Sequence, residues 1–175
     1  MTQAANLAAV GSNANSGGTL ITSGTAQTAS GTNVDFANVI PSWAKRITVM
    51  FNGVSVAANT ATGFVQLGTG ATPTYTTSGY TAVGSQIGAS TVSSSNQTAG
   101  FPVFNQSGAA ATMQGQIVIV NLSGNIWTAF GATAENGSGR QFISSGSITL
   151  GAALTSIRVN HADTFDAGTI NIFWE

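Results

Sequence analysis

Apolar residues recur at every second position in several short stretches of this chain, and no stretch repeats with the 3.6-residue period of a long helix. In Arg46–Phe51 this alternation places Ile47, Val49 and Phe51 on one face of a strand. Gly and Asn stand at nearly every junction between such stretches, where they favour turns. Short strands separated by turn signals predict an all-β fold, and we expect a jelly-roll-like β-sandwich of short antiparallel strands.

The same pattern predicts most of the strand order. Further strands are expected at Gly63–Leu67, Gln114–Val120, Ile126–Phe130, Ser147–Leu150, Leu154–Asn160 and Thr169–Trp174. A short polar run joins the strand Gln114–Val120 to the strand Ile126–Phe130, which predicts that these two form a β-hairpin. Asn52-Gly53 predicts a turn directly after the first strand. Between Thr69 and Ala111 the alternation weakens into Gly, Ser, Thr, Ala and Asn, which predicts a long loop-rich region.

The first 20 residues differ from the rest in composition. They are rich in Ala, Asn, Ser and Gly, and Leu7 and Val10 are among their few apolar residues. A segment of this kind buries too little apolar surface to order itself. We therefore expect residues 1–20 to be a short extended arm that becomes ordered only when it docks on another protein through Leu7 and Val10. Residues 21–175 are expected to form a single β-sandwich domain.

Charged residues make up 5% of the chain, as four Lys and Arg against five Asp and Glu, where about 25% is usual. Nucleic-acid binding needs clustered basic residues, and the only adjacent basic pair is Lys45-Arg46. With no signal-peptide pattern and no apolar run of about 20 residues, we expect no membrane contact and synthesis in a cytoplasm. The absence of cysteine excludes disulfides and zinc–cysteine sites.

The acidic residues are too few for most catalytic sites. Glycoside hydrolysis, for example, needs two carboxyl groups that flank one bond. His161, Asp163 and Asp166 imitate a metal or acid–base cluster, but Asp-x-x-Asp-Ala-Gly between two strands favours a turn whose Asp side chains accept local N–H groups. No phosphate-binding or dinucleotide motif is present. We predict no enzymatic activity, cofactor or metal, with a glycan-cleaving spike enzyme as a remote alternative.

Four aromatic residues are candidates for contacts with other molecules. In the last predicted strand Trp174 shares a face with two isoleucines, while Phe173 points to the opposite face. Apolar residues on both faces indicate a strand that is covered twice, so Phe173 and Trp174 are predicted at a subunit interface. Tyr75 and Tyr80 stand in the predicted loop-rich region, and loops often carry binding residues. They are predicted to contact glycan at the surface.

Two segments carry a resemblance to a known family. They are Ile40–Ser55, which reads IPSWAKRITVMFNGVS, and Asp163–Glu175, which reads DTFDAGTINIFWE. Together, over about Thr22–Glu175, they resemble a β-rich domain that recurs in tail-fibre and other virion structural proteins of tailed bacteriophages. Asn6–Asn13 is also similar to the start of some phage fibre proteins. The resemblance implies a virion structural role with other virion proteins as partners, a homotrimer and no catalytic residues.

Two positions on such a particle are open at this point. In the first, the chain is a short fibre or spike tip that docks through its arm and contacts host-surface glycan through its middle region. In the second, it is a capsid decoration protein, either cement or head fibre, whose arm and sheet edges clamp neighbouring shell subunits. Both place the chain in the virion after its synthesis in the cytoplasm of the bacterial host.

Overall fold

The computed structural model describes residues 21–58, 61–90, 92–105 and 108–175. Within these ranges it contains thirteen strands, no helix, and only antiparallel pairing, which confirms the all-β prediction. The strands are β1 (Thr22–Ser23), β2 (Gln27–Thr28), β3 (Gly31–Phe36), β4 (Arg46–Val56), β5 (Thr62–Thr69), β6 (Thr74–Tyr75), β7 (Thr81–Ile87), β8 (Val92–Gln97), β9 (Phe101–Asn105), β10 (Thr112–Ser123), β11 (Ile126–Asn136), β12 (Arg140–Thr149) and β13 (Leu154–Trp174).

The longest strand, β13, belongs to both halves of one curled sheet. Its first part, Leu154–Asn160, lies between β3 and β5. Its second part, Phe165–Trp174, pairs with β4 on one side and with β1 and β2 on the other. From β4 the sheet continues through β10, β11, β12 and β7 to β8. We call the seven strands from the second part of β13 to β8 the wide part of the sheet.

Glycines allow β4 and β13 to bend where they run side by side. Gly53 has φ 63° and Gly168 has φ 94°, a left-handed backbone that favours glycine. The register between the two strands shifts twice at this point, and a Cβ on Gly168 would overlap the backbone of Gly53. The turn predicted at Asn52-Gly53 is therefore wrong, because the pair forms an irregularity within a continuous strand.

The region between residues 69 and 111 is not the loop that the sequence predicted. It contains strands β6 to β9, and it supplies the buried rings of Tyr80, Phe101 and Phe104. Strand β9 pairs with β5 and also packs against the inner side of β12 and β7. The first four residues of β9 are all buried. A strand covered on both faces needs no apolar–polar alternation, so the period-2 criterion does not detect it.

The core lies on the inner side of the curled sheet. Ile47, Val49, Ile117 and Ile119 are at most 1% exposed, as the alternation in β4 and β10 predicts. The predicted hairpin is also confirmed, since β10 and β11 are joined by a tight turn at Gly124 and pair along their length. Several strands exceed the short lengths that we expected. The jelly-roll sandwich stays a prediction, because the strands form one continuous curled sheet.

A glycine-to-alanine pair tests whether β9 belongs to the core. A Cβ on Gly63 would overlap the ring of Phe104, which is fully buried and packs edge-on against Phe51 and Phe165. We expect Gly63→Ala to lower the free energy of unfolding by about 1–3 kcal/mol. Gly151→Ala is the matched control, because no atom lies within 4 Å of its added Cβ. Urea denaturation that shows equal stability for the two variants would contradict this packing.

Candidate functional site: an uncharged outer face

The outer side of the wide part presents side chains in rows that run across the strands. The strand registers place one residue from each strand in the central row, which consists of Phe173, Thr48, Val118, Phe130, Ser145, Val83 and Asn96. The next row consists of Asn171, Met50, Gln116, Ala132, Ile143, Ser85 and Ser94. These two rows, with the rows through Val120 and Ile87 that flank them, are called the outer face.

Large apolar side chains of the outer face are open to solvent. Phe130, in the middle of the central row, is 62% exposed, and Val83 in the same row is 40% exposed. Val120 and Ile87 in the flanking rows are 41% and 38% exposed, and Val92 beside Ile87 is 76% exposed. Ser145 separates Phe130 from Val83, and Ser85 separates Val83 from Ile87, so apolar and uncharged polar side chains alternate on this face. Several exposed apolar side chains on one face are more typical of a contact site than single ones are.

The outer face is also almost free of charge. Among its rows the strand registers place one charged side chain, Arg46, at the margin beside Val120. Arg46 forms a 3.0 Å salt bridge with Glu175. The remaining polar members are Ser, Thr, Asn and Gln. Depletion of charge and exposure of aromatic and aliphatic side chains together characterise the centre of protein–protein interfaces.

The predicted interface residues Phe173 and Trp174 meet at one corner of this surface. Phe173 is half-buried in the central row, while Trp174 packs against the core. Both line a cavity of about 200 Å³ with Ile21 from the preceding segment and with the Arg46–Glu175 pair. Their opposite orientations agree with the alternation in the sequence. An interface role for the two residues stays a prediction, and Leu7 and Val10 lie outside the described residues.

The predicted glycan contact at Tyr80 is wrong. Tyr80 is 2% exposed, its ring packs edge-on against Phe101 at a centroid distance of 5.0 Å, and its hydroxyl oxygen accepts a 2.8 Å hydrogen bond from the backbone N–H of Leu67. Burial raises the pKa of Tyr80 to about 12. Tyr80 precedes β7 in a stretch rich in Gly, Ser and Thr. The local pattern does not predict its burial, because the ring packs against other strands, among them β5, which carries Leu67.

Tyr75 is nearer the surface, but its ring is already in contact with the protein. The guanidinium carbon of Arg158 lies 3.9 Å from the ring centroid. Asp35 holds this guanidinium by two hydrogen bonds of 2.7 and 2.8 Å. The ring also covers Gly68, where a Cβ would come within 2.8 Å of the ring carbon Cδ1. A sugar that stacks where Arg158 lies would have to displace a bidentate ion pair, so glycan contact at Tyr75 stays a prediction without geometric support.

The segment from His161 to Asp166 lies within β13, so the predicted turn is wrong. His161 is 1% exposed and stacks on Phe104 at 5.7 Å. Its Nε2 lies 2.9 Å from the carbonyl oxygen of Ala61, and its Nδ1 accepts a 2.9 Å hydrogen bond from the backbone N–H of Asp163. These partners require the neutral Nε2–H tautomer. Both ring nitrogens are therefore engaged by backbone groups, and a carboxylate oxygen of Asp163 lies 3.8 Å from Nδ1.

The acidic side chains are likewise engaged by the chain itself. Asp35 pairs with Arg158 and Glu175 pairs with Arg46. Asp166 accepts a hydrogen bond from Ser55, and the buried Glu135 accepts one of 2.6 Å from Ser138. Among the residues that the structure describes, no group of three or more His, Asp or Glu side chains is placed to hold a metal ion. The local turn partners expected for Asp166 are thus replaced by Ser55 of the neighbouring strand β4.

Sequence analysis missed the centre of the outer face. The alternation predicts a strand that contains Phe130, without singling out the outward side of that strand. The available signal was that Trp127 and Ala129 take the inner positions of β11, which leaves Phe130 pointing outward. An aromatic residue on the polar side of an alternating strand is the pattern that would have identified it.

The raised pKa of Tyr80 predicts alkaline sensitivity. Tyrosine ionises near pH 10 in an unfolded chain, whereas folded Tyr80 keeps its proton to about pH 12. Stability from this group is complete below pH 10 and falls as the pH rises to 12, by at most about 1.4 kcal/mol per pH unit. We expect Tyr80→Phe to remove this part of the decline. At pH 7 the same variant should lose about 1–3 kcal/mol, because the Leu67 N–H loses its acceptor. Equal alkaline slopes for both proteins in urea titrations would contradict the assignment.

A second variant pair tests whether His161 is structural. His161→Ala removes a buried ring and two hydrogen bonds, so we expect a loss of about 2–4 kcal/mol in the free energy of unfolding. Asp163→Asn keeps the backbone N–H that His161 accepts from, and it should change stability by less than about 1 kcal/mol. Thermal and urea unfolding of the two variants measure the difference. A His161→Ala protein as stable as the wild type would show that the ring is not part of the core.

Comparison with known proteins adds no relative to this picture. No helix in the described part of the chain is long and apolar enough to cross a membrane. Searches against protein-family models, curated proteins and solved structures find no match to this chain.

Proposed function

We propose that the chain is a structural protein of a bacteriophage particle and has no enzymatic activity. In this proposal it forms a short fibre or spike tip, docks on the particle through residues 1–20 and contacts the host surface. The resemblance of Ile40–Ser55 and Asp163–Glu175 to virion domains supports the bacteriophage assignment. A role in assembly is also consistent with a chain whose acidic residues and single histidine are engaged in internal contacts.

The observation that carries the proposal is the uncharged apolar outer face. A protein that works through enzymatic chemistry needs a concave site with convergent polar groups. Here the most exposed feature is instead a broad sheet surface with Phe130 at its centre. Contacts made by such a surface depend little on ionic strength, because salt screens only charges. Particles that persist in varied surroundings benefit from contacts of this kind.

Capsid decoration is the second candidate, and one observation favours it. The two tyrosines predicted to touch glycan are a core residue, Tyr80, and a ring already covered by Arg158, Tyr75. Without them the case for host-glycan contact rests on the resemblance alone. A decoration protein needs only protein contacts, which a neutral apolar surface can supply. The outer face therefore fits a shell position as well as a fibre tip.

Particle incorporation tests the proposal. We expect mass spectrometry of gradient-purified particles from the encoding bacteriophage to detect the chain, and immunogold labelling to place it at the tail or on the head. A variant without residues 1–20 should keep the melting temperature of the domain but be absent from particles. Replacing residues 1–20 with a Gly/Ser segment of equal length is the matched control, and it should be excluded as well. Particles that lack the wild-type chain would refute the virion role.

A further inference from the structure

We infer that the outer face is the surface through which copies of this chain associate, with Phe130 at the centre of the contact. The inference rests on the proposed function, because that proposal depends on the outer face and the inference names the partner that the outer face binds. It differs from the sequence prediction of Phe173 and Trp174, because Phe173 lies at the edge of the outer face and Trp174 points to the opposite side. The partner is a second copy of the same chain.

The size of the outer face fits a stable contact between copies. It crosses seven strands, which at a spacing of about 4.8 Å extends about 29 Å. Its four rows, two residues apart along each strand, extend about 20 Å in the other direction. The face therefore covers about 600 Å² per copy, or about 1,200 Å² for two copies, which is the lower end of the range for specific interfaces.

The charge of the face favours self-association over a different partner. A surface that meets a copy of itself brings like residues together, and like charges would repel. Here the single charged member, Arg46, lies at the margin and is neutralised by Glu175. A different protein is usually recognised by complementary charges, and the central row and the row next to it contain no charged side chain. Homo-oligomer interfaces, by contrast, are more apolar than other contacts.

Phe130 is the large exposed side chain nearest the middle of the face, and two of its neighbours on the face are small. Phe130 stands between Val118 and Ser145 in its row. Ala132 lies beside it in the next row, so small side chains surround the ring on two sides. Aromatic side chains near the middle of a contact commonly carry much of its binding energy. We therefore place the Phe130 ring of one copy against Ser145 and Ala132 of the other.

Sedimentation of charge-insertion variants tests the contact. We expect the full wild-type chain to form a discrete dimer at 50 µM in both 0.1 and 1 M NaCl, because a face that meets its own copy closes at a two-fold axis. Phe130→Arg should raise the dissociation constant at least 100-fold, because a guanidinium would be buried without a partner. Trp43→Arg is the matched control. Trp43 is also an exposed aromatic residue, at 46%, but it lies outside the rows of the outer face, so its variant should assemble as the wild type does.

Cysteine labelling provides a measurement that does not depend on a destabilising change. The chain has no cysteine, so each variant carries a single thiol. Ser145→Cys places that thiol beside Phe130, and Ser42→Cys places it at an exposed position off the outer face. In the oligomer we expect maleimide to label Ser145→Cys at least 10-fold more slowly than Ser42→Cys. After dissociation by Phe130→Arg the two rates should become similar.

The outcomes separate this inference from the proposed function. A wild-type monomer at 50 µM overturns the inference, as does an oligomer that Phe130→Arg leaves intact or that Trp43→Arg also dissociates. Equal labelling of the two thiols in the oligomer overturns it too. None of these results concerns particle incorporation, which is measured on purified virions. Conversely, a chain absent from particles but dissociated by Phe130→Arg refutes the virion role and retains the contact between copies.

Discussion

The backbone hydrogen bonds of β13 are the interaction on which the remaining structure depends. This strand pairs with β3 and β5 along its first part and with β4, β1 and β2 along its second. It therefore lies inside both halves of the curled sheet, and its removal would leave two sheets with unpaired edges. Because nearly every partner is distant in sequence, this arrangement forms only when the whole chain closes on itself.

The few charges of the chain are used to fix that arrangement. Arg158 and Asp35 join β13 to β3, and Arg46 and Glu175 join the start of β4 to the end of the chain. Asp166 is held by Ser55 of β4. Each of these contacts links segments that are more than 100 residues apart. These contacts cross the pairings of β13, and because the two ion pairs are partly exposed each adds at most about 1 kcal/mol to the stability.

Aromatic residues of this chain are buried in one part of the sheet and exposed in another. Phe104 and Tyr80 come from a region of low apparent hydrophobicity, yet both are fully buried. Phe130 comes from a regular strand and is the exposed centre of the outer face. Composition around a residue therefore does not decide its burial. The deciding factor is whether another strand covers that side of the sheet, as β9 covers the inner side of β12 and β7.

The alternation of apolar residues was enough to predict the all-β fold class, the inward-facing residues of β4 and β10, and the β10–β11 hairpin. Each of these depends on neighbours within a few residues. The opposite orientations of Phe173 and Trp174 belong to the same group. The absence of cysteine from the sequence also excluded disulfides and zinc–cysteine sites. Only the tertiary structure decided that Asn52-Gly53 is an irregularity within a strand, that His161 is a core residue and that Tyr80 is buried. These outcomes depend on which distant strand approaches, and that approach is set by the closure of the sheet around β13.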